Sequence, residues 1–314
     1  FDASDIEKER GVIIEEIMMY RDHPEHVVQE MLHHILWKNH QLGRPLVGTP
    51  VSLRRMTRDD ILKFKQKKYV AQNTVFVFAG RIRHETGVAH VEKLMTEYPA
   101  LRKPSAKPVT HAVKQEKMIL KSKDIEQTQL AIGFRTFGRS DKRRYTLKVL
   151  SVILGENMSS RLFQVVREKH GLAYSVHSGF QLLADTGGFV VSAGLDKKKR
   201  HKALDLIFRE IRRLKQESVK EKELARAREY IVGHLRLGLE SPSGQMIWVG
   251  EHLLHYGKSI PAEEVIDAIY AVRSADVQAL AGTIFRERAT SLAMLSSGLA
   301  EKDSDSVRSV LATL

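Results

Sequence analysis

Two carboxylates near the start of the chain, and a guanidinium and a phenol farther on, are the side chains whose spacing could support chemistry. Glu9 and Glu16 stand seven residues apart in IEKERGVIIEEIMM, residues 6–19. On a helix that is nearly two turns, so both project from one side about 10 Å apart along the axis. Such a pair can hold a metal and support its ligand, and it can equally be the solvated face of a charged helix. Arg167 and Tyr174 have the same separation in SSRLFQVVREKHGLAYSV, residues 159–176. Gly171 permits a left-handed turn between a helix carrying Arg167 and a strand opening near Tyr174, which would bring both to one edge. The plainer alternative is an arginine that caps helix carbonyls and a tyrosine half-buried on a sheet.

The absence of cysteine excludes disulfides, a thiol nucleophile and cysteine-ligated zinc, and leaves His, Asp and Glu as metal ligands. None of the 14 histidines falls in an H-x-x-E-H string. His23-Pro-Glu-His26 has the wrong spacing, and Glu251-His252-Leu-Leu-His255 has the wrong order. His33 and His34 lack a partner at ligand spacing and read as surface or half-buried polar residues. The net charge of +13 would allow a nucleic-acid partner. However, the basic residues are scattered or in short runs, such as 65–68 and 197–200, with no interleaved aromatic platforms, so we expect none. A preference for acidic peptides or anionic surfaces stays open. No apolar run reaches the roughly 18 residues of a membrane span. With 42% hydrophobic and 28% charged residues over 314 positions, the chain can build two domains with cores.

The elements that must position these groups follow from periodicity. Ile6, Val12, Ile13, Ile14 and Ile17 recur at helical intervals, predicting a glutamate helix to about Arg21. Asp22-His-Pro24 breaks it. A second helix is expected from Glu25 to Trp37, with Val28, Met31, Leu32, Ile35 and Leu36 buried. HQLGRPLVGTP, residues 40–50, reads as a loop. A helix over 57–69, a buried strand over 74–79 and a helix over 85–98 come next. Pro104 and Pro108 mark a linker. This divides the chain into 1–103, a linker at 104–114, and 115–314.

Beyond the linker, strands are expected at 117–122 and 129–135, with Leu130, Ile132 and Phe134 on one face. A helix over 141–154 should end at Gly155, and Ser159 or Ser160 should cap the next, to Lys169. Strands at 174–181 and 188–193 and two long helices follow, the second opening on a Ser218-x-x-Glu221 capping box. A last helix should span 245–256 and stop at Gly257. Asp60 set against Asp276, an offset of 216 residues, aligns Ile61 with Val277, Phe64 with Leu280, Tyr69 with Phe285 and Phe76 with Leu292. That period implies two similar α+β domains, since solenoid repeats are shorter.

ERxVIxxEI followed by a second amphipathic helix, the glycine-proline run at 40–50 and the string at 159–176 together resemble the insulinase/pitrilysin group of inverted zinc metallopeptidases. The likeness is greatest to the mitochondrial processing peptidase and its small bacterial homologues. The resemblance implies two homologous α+β domains, each an antiparallel sheet with helices packed on one side, the first incomplete here. It implies zinc held by two histidines of an H-x-x-E-H helix and by Glu16, with Glu9 supporting. Arg167 and Tyr174 would bind substrate carbonyls, Tyr174 also stabilising the transition state. The family's histidine helix precedes the glutamate helix, so the chain is expected to be N-terminally truncated before H-x-x-E-H, inactive alone and without stably bound zinc. The implied substrate is an unstructured peptide, hydrolysed in a closed chamber, and the implied assembly is a homodimer or paired subunit. A non-catalytic paralogue serving assembly or substrate capture is the other reading. A cytoplasmic or periplasmic bacterial location goes with the small homologues.

Overall fold

The computed structural model describes residues 1–109 and 118–314, so the expected strand start at Lys117 and linker positions 110–114 lie outside the described residues. Asp2 accepts from the Ser4 amide at 2.9 Å and opens α1, Ala3–Arg21. Pro24 begins α2, Pro24–Leu36. The stretch read as a loop, residues 40–50, contains a short 3-10 turn at Gln41–Gly43 and ends where a short helix, α3, Pro50–Arg55, begins, because Pro50 suits a first helical position and Thr49 and Ser52 cap each other. Thr57 and Asp60 form the box that starts α4, Arg58–Lys68, and α5 spans His84–Leu94, ending short of the expected Tyr98.

The expected buried strand at 74–79 does not form. Thr74 is extended, but residues 74–79 pair with no strand among the described residues, and Phe76 and Phe78 are 45% and 52% exposed. An extended segment becomes a strand only when a neighbour takes up its N–H and C=O groups. Phe64 of α4 likewise stays 60% exposed, with no described sheet face to cover it.

The second region builds the sheet. β1 is Met118–Ser122 and β2 is Gln127–Thr136. α6, Arg144–Ser151, runs on as a π-helical turn through Gly155 to Glu156, so Gly155 is not its end. A second π-helical segment covers Phe163–Lys169. Ser160 does not cap it by its hydroxyl, which donates to the Asn157 carbonyl instead. β3 is Ala173–Leu182 and β4 is Gly187–Asp196. They are followed by α7, Arg200–Gln216, and α8, Glu221–Leu239. The Ser218 hydroxyl donates to Gln278 at 3.2 Å and leaves α8 without a side-chain cap, against the expected box. α9, Pro242–Tyr256, closes on Gly257 in the left-handed region (φ 71°). α10, Ala262–Tyr270, α11, Ser274–Ile284, β5, Thr290–Ser296, and α12, Glu301–Leu311, complete the chain.

The architecture is α+β. The five strands lie in the order β1-β5-β2-β4-β3, antiparallel except for β1 beside β5. Strand alternation splits the side chains between two faces. Leu130, Ile132, Phe134, Phe189, Val191, Leu292 and Met294 face α6, α7 and α11 in the main core. Phe285 joins Phe134 and Phe189 there, with ring centroids 4.8 and 5.4 Å away. On the opposite face α2 lays Leu32, Ile35, Leu36 and Trp37 over Ala131, Ala293 and Leu295. Gly133 makes this approach possible, since a Cβ there would meet Leu32 and Leu36 methyls at 2.9 Å. α2 is therefore the element that ties the amino-terminal helices to the sheet.

Candidate functional site

Glu9 and Glu16 both project to solvent from α1, whose one fully buried side chain is Ile17. α1 is held by Arg10, which donates to the carbonyls of Leu53 and Met56, the latter at 3.0 Å. Sequence reading missed Arg10, although it lies in the same ERxVI string. Glu9 borders a hollow of about 380 Å³ with Ile6, Ile13, Leu53, Met56 and Ile61. Glu16 forms no hydrogen bond or ion pair with the described residues. One turn on, Tyr20 stacks on His26 at 4.6 Å.

Among the described residues no three His, Asp or Glu side chains are grouped so that they could hold a metal ion. Glu16 thus stands without neighbouring ligand side chains, and the described residues do not complete a zinc site. His33, half-buried and edge-on to Trp37 at 5.4 Å, has its imidazole held below the ordinary value by burial, against a smaller opposing effect of Glu30. Its ring packs against Trp37, and among the described residues it belongs to no group of three side chains that could hold a metal ion.

Arg167 sits in the π-helical segment, exposed, with its guanidinium 4.8 Å from the Phe163 ring centroid. Gly171 (φ 57°) reverses the chain, its N–H donating to the Arg167 carbonyl and that of Leu172 to Val166, each at 3.0 Å. The chain then enters β3, one of the two edge strands of the described sheet. Pairing with β4 slips between Ala173 and Ser175, so Tyr174 occupies a bulge and is 66% exposed. Bulges re-aim side chains and π-turns concentrate at functional sites. Both residues thus stand out from one helix–turn–strand corner. No hydrogen bond or ion pair among the described residues joins either of them to Glu9 or Glu16.

Between α1–α2 and this sheet lies a cleft of about 920 Å³, bordered by Tyr20, His23, His26, Gln127 and Gln129. The His26 Nδ1 is buried there without a hydrogen-bond partner among the described residues. Gln129 shares the α2-side face with Ala131, opposite Leu130 and Ile132. The alternation that marked the apolar positions of β2 was the signal that could have found it.

With this geometry in place, known proteins supply the context. The family model described as "Insulinase (Peptidase family M16)" matches residues 1–50, and "Peptidase M16 inactive domain" matches residues 55–231. The uncharacterized zinc protease YmxG of Bacillus subtilis is 34% identical over 289 residues, covering 91% of this chain and 69% of the relative. An uncharacterized zinc protease of Streptomyces coelicolor is 33% identical over 90% of this chain and 63% of its own length. Among solved structures, a peptidase M16 inactive domain from Pseudomonas fluorescens superposes with a TM-score of 0.87 at 18% identity, over 96% of this chain and 72% of that one. Complex III2 from Candida albicans contains a chain at 0.84 and 19%, covering 97% and 74%. The chain belongs to the M16, or insulinase, family of metallopeptidases and has its mixed α+β fold. Among the described residues no helix is long and apolar enough to cross a membrane.

Proposed function

We propose that this chain is a working part of a zinc-dependent endopeptidase that hydrolyses unstructured peptides in a closed chamber. The presence of Glu9, Glu16, Arg167 and Tyr174 in one chain, all solvent-exposed, carries this reading. Glu16 supplies one zinc ligand and Glu9 supports it. The histidine pair and the general-base glutamate come from an H-x-x-E-H helix outside these 314 residues, so the chain alone neither holds zinc stably nor cleaves peptides. Residues 1–103 act as the later half of the zinc-bearing domain, 104–114 as the linker and 115–314 as the substrate-binding domain. The Arg167 guanidinium donates to a peptide carbonyl, and the Tyr174 hydroxyl donates to the oxygen that gains charge as the bond breaks. Two such units, identical or paired, enclose the chamber.

The test uses the protein that carries the H-x-x-E-H helix. Glu16→Gln should lose bound zinc. Tyr174→Phe should keep zinc but lower turnover of an unstructured peptide by about 100-fold, as loss of one oxyanion donor does. Zinc retained by the first variant would refute the ligand assignment. The match of residues 55–231 to an inactive domain favours a second reading, a non-catalytic partner subunit that captures substrate. That reading gains if adding this chain to a zinc-loaded relative restores cleavage while Glu16→Gln has no effect.

A further inference from the structure

Away from the glutamates and the Arg167–Tyr174 corner, a hollow of about 740 Å³ opens between the C-terminal end of α4 and the strap at 102–107. Its wall carries Lys67, Lys68, Arg102, Lys103 and Lys107, and no carboxylate. The strap is fixed at its far end: the His40 Nε2 lies 3.2 Å from the Lys107 carbonyl, and the Val109 N–H donates to Asp185 at 2.8 Å. The cations are therefore held opposite one another by the path of the chain.

Lys67 and Lys68 have an ordinary explanation, since basic side chains in a last helical turn offset the helix dipole. Arg102, Lys103 and Lys107 do not, because they belong to no helix and arrive from another segment. None of the five forms an ion pair with a carboxylate among the described residues. Like charges converging in a hollow repel more strongly than on open surface, because less water screens them. A net charge of +13 offers no internal remedy.

We propose that this hollow is a binding site for an oligophosphate anion, a ligand carrying several phosphate groups in a row. Four of its five cations are lysines. Lysine binds phosphate as a compact point charge with three donors to share among its oxygens, and the planar fork of Arg102 fits phosphate oxygens in pairs. The space exceeds what one phosphate fills and brings charge from two sides. No aromatic ring lines it, so a nucleobase finds no stacking platform, and the phosphate chain itself is what is recognised. The site stands independently of the peptidase reading.

Isothermal titration of tripolyphosphate into the protein at physiological salt tests this. The double charge reversal Lys68→Glu/Lys103→Glu should weaken binding about tenfold or more, while Lys198→Glu/Lys222→Glu, the same charge change at exposed positions elsewhere, should alter it less than about twofold. Circular dichroism checks the fold of each variant, and Lys103→Gln replaces the double variant if that one fails to fold. Equal weakening by the control pair would overturn the site in favour of diffuse charge. Orthophosphate binding as tightly as tripolyphosphate would overturn the oligophosphate preference. An oligoglutamate peptide of equal charge binding as tightly would overturn it too, pointing to an acidic protein segment.

Discussion

Two regions of this molecule, residues 57–94 and 273–310, repeat each other 216 positions apart and yet live in different surroundings. The local agreement is close. The amides of Thr57 and Arg273 each donate to an aspartate three residues on, Asp60 and Asp276, at 2.9 Å. α4 corresponds to α11 end for end. The following amides of Tyr69 and Phe285 reach back to Lys65 and Ala281 at 2.8 and 2.9 Å. Short 3-10 turns follow at Ala71–Asn73 and Glu287–Ala289. The hydroxyls of Thr74 and Thr290 then donate to the carbonyls of Val70 and Arg286 at 3.0 and 2.6 Å. α5 matches α12. Burial does not match: Phe64 and Tyr69 are 60% and 56% exposed, while Leu280 and Phe285 are 4% and 0%. Phe76 is 45% exposed and its counterpart Leu292 is fully buried. β5 runs between β1 and β2, and residues 74–79 run beside no described strand. Short-range sequence sets turn, cap and extension; only neighbouring strands convert them into core.

The most direct way to break this contrast is to delete matched rings. Phe285→Ala removes the ring packed on Phe134 and Phe189 and should cost about 3–5 kcal/mol, as large aromatic truncations in cores do. Tyr69→Ala, at the same point of the repeat, should stay within about 0.5 kcal/mol. Denaturant unfolding monitored by circular dichroism reads both. A comparable loss for Tyr69→Ala would mean the first region has a core after all.

The second contrast is how each terminal helix is secured. α12 carries Asp303, whose side chain is 1% exposed and lies 2.7 Å from Arg200 and 2.9 Å from His201. At the matching place α5 has Gly87, packed on the Phe78 ring. Burial raises the Asp303 pKa, but the Ala300 amide and then Arg200 outweigh it, so the carboxyl sits below its ordinary range. A depressed folded-state value stabilises the fold above the unfolded carboxylate value of about 3.9, and that contribution is lost as pH falls through the lowered value. Asp303→Asn, which strands Arg200, should cost about 3–5 kcal/mol near neutral pH. It should also flatten the acid limb of stability, measured as unfolding midpoint against pH. An unchanged acid limb would show that Asp303 does not govern it.

The sheet, α2 and most helices of the second region follow from period and punctuation: alternation at Leu130, Ile132 and Phe134, Pro24 after Asp22-His23, Gly257 after Tyr256. What the chain does not announce is what depends on distant partners. VFVFA at 75–79 has every local mark of a buried strand, and no residue within it reveals that no described strand flanks it. Ser218 and Ser160 have capping chemistry but find Gln278 and the Asn157 carbonyl first, a competition decided by tertiary packing. The bulge at Tyr174 is likewise a product of register against β4, and the π-turn at Arg167 lies in a segment packed against β3. The residue types at 9, 16, 167 and 174 can be read directly. The cations at 67–68 and 102–107 can be read too, but their convergence cannot, because it needs the path of the strap.

A smaller effect tests the shared local structure itself. Thr57→Ala removes a cap in which the hydroxyl accepts from the Asp60 amide, and should weaken α4 by about 1 kcal/mol, visible as faster amide exchange in α4 while α11 is unaffected. If α4 exchange is unchanged, the cap seen at 57–60 does not hold that helix.

The smallest effect on stability concerns the bare extension. Phe76 and Phe78 present apolar rings on a segment that pairs with no described strand, the kind of backbone that invites another chain. Phe78→Lys should leave the unfolding midpoint within about 0.5 kcal/mol of the parent while reducing concentration-dependent association in light scattering. Met294→Lys, its counterpart in β5, puts an ammonium into the main core and should prevent folding outright. If the two lysines proved equally tolerated, β5 would be no more enclosed than its repeat. If Phe78→Lys unfolded the protein, residues 74–79 would belong to a packed layer, and the difference between the two regions would be one of degree.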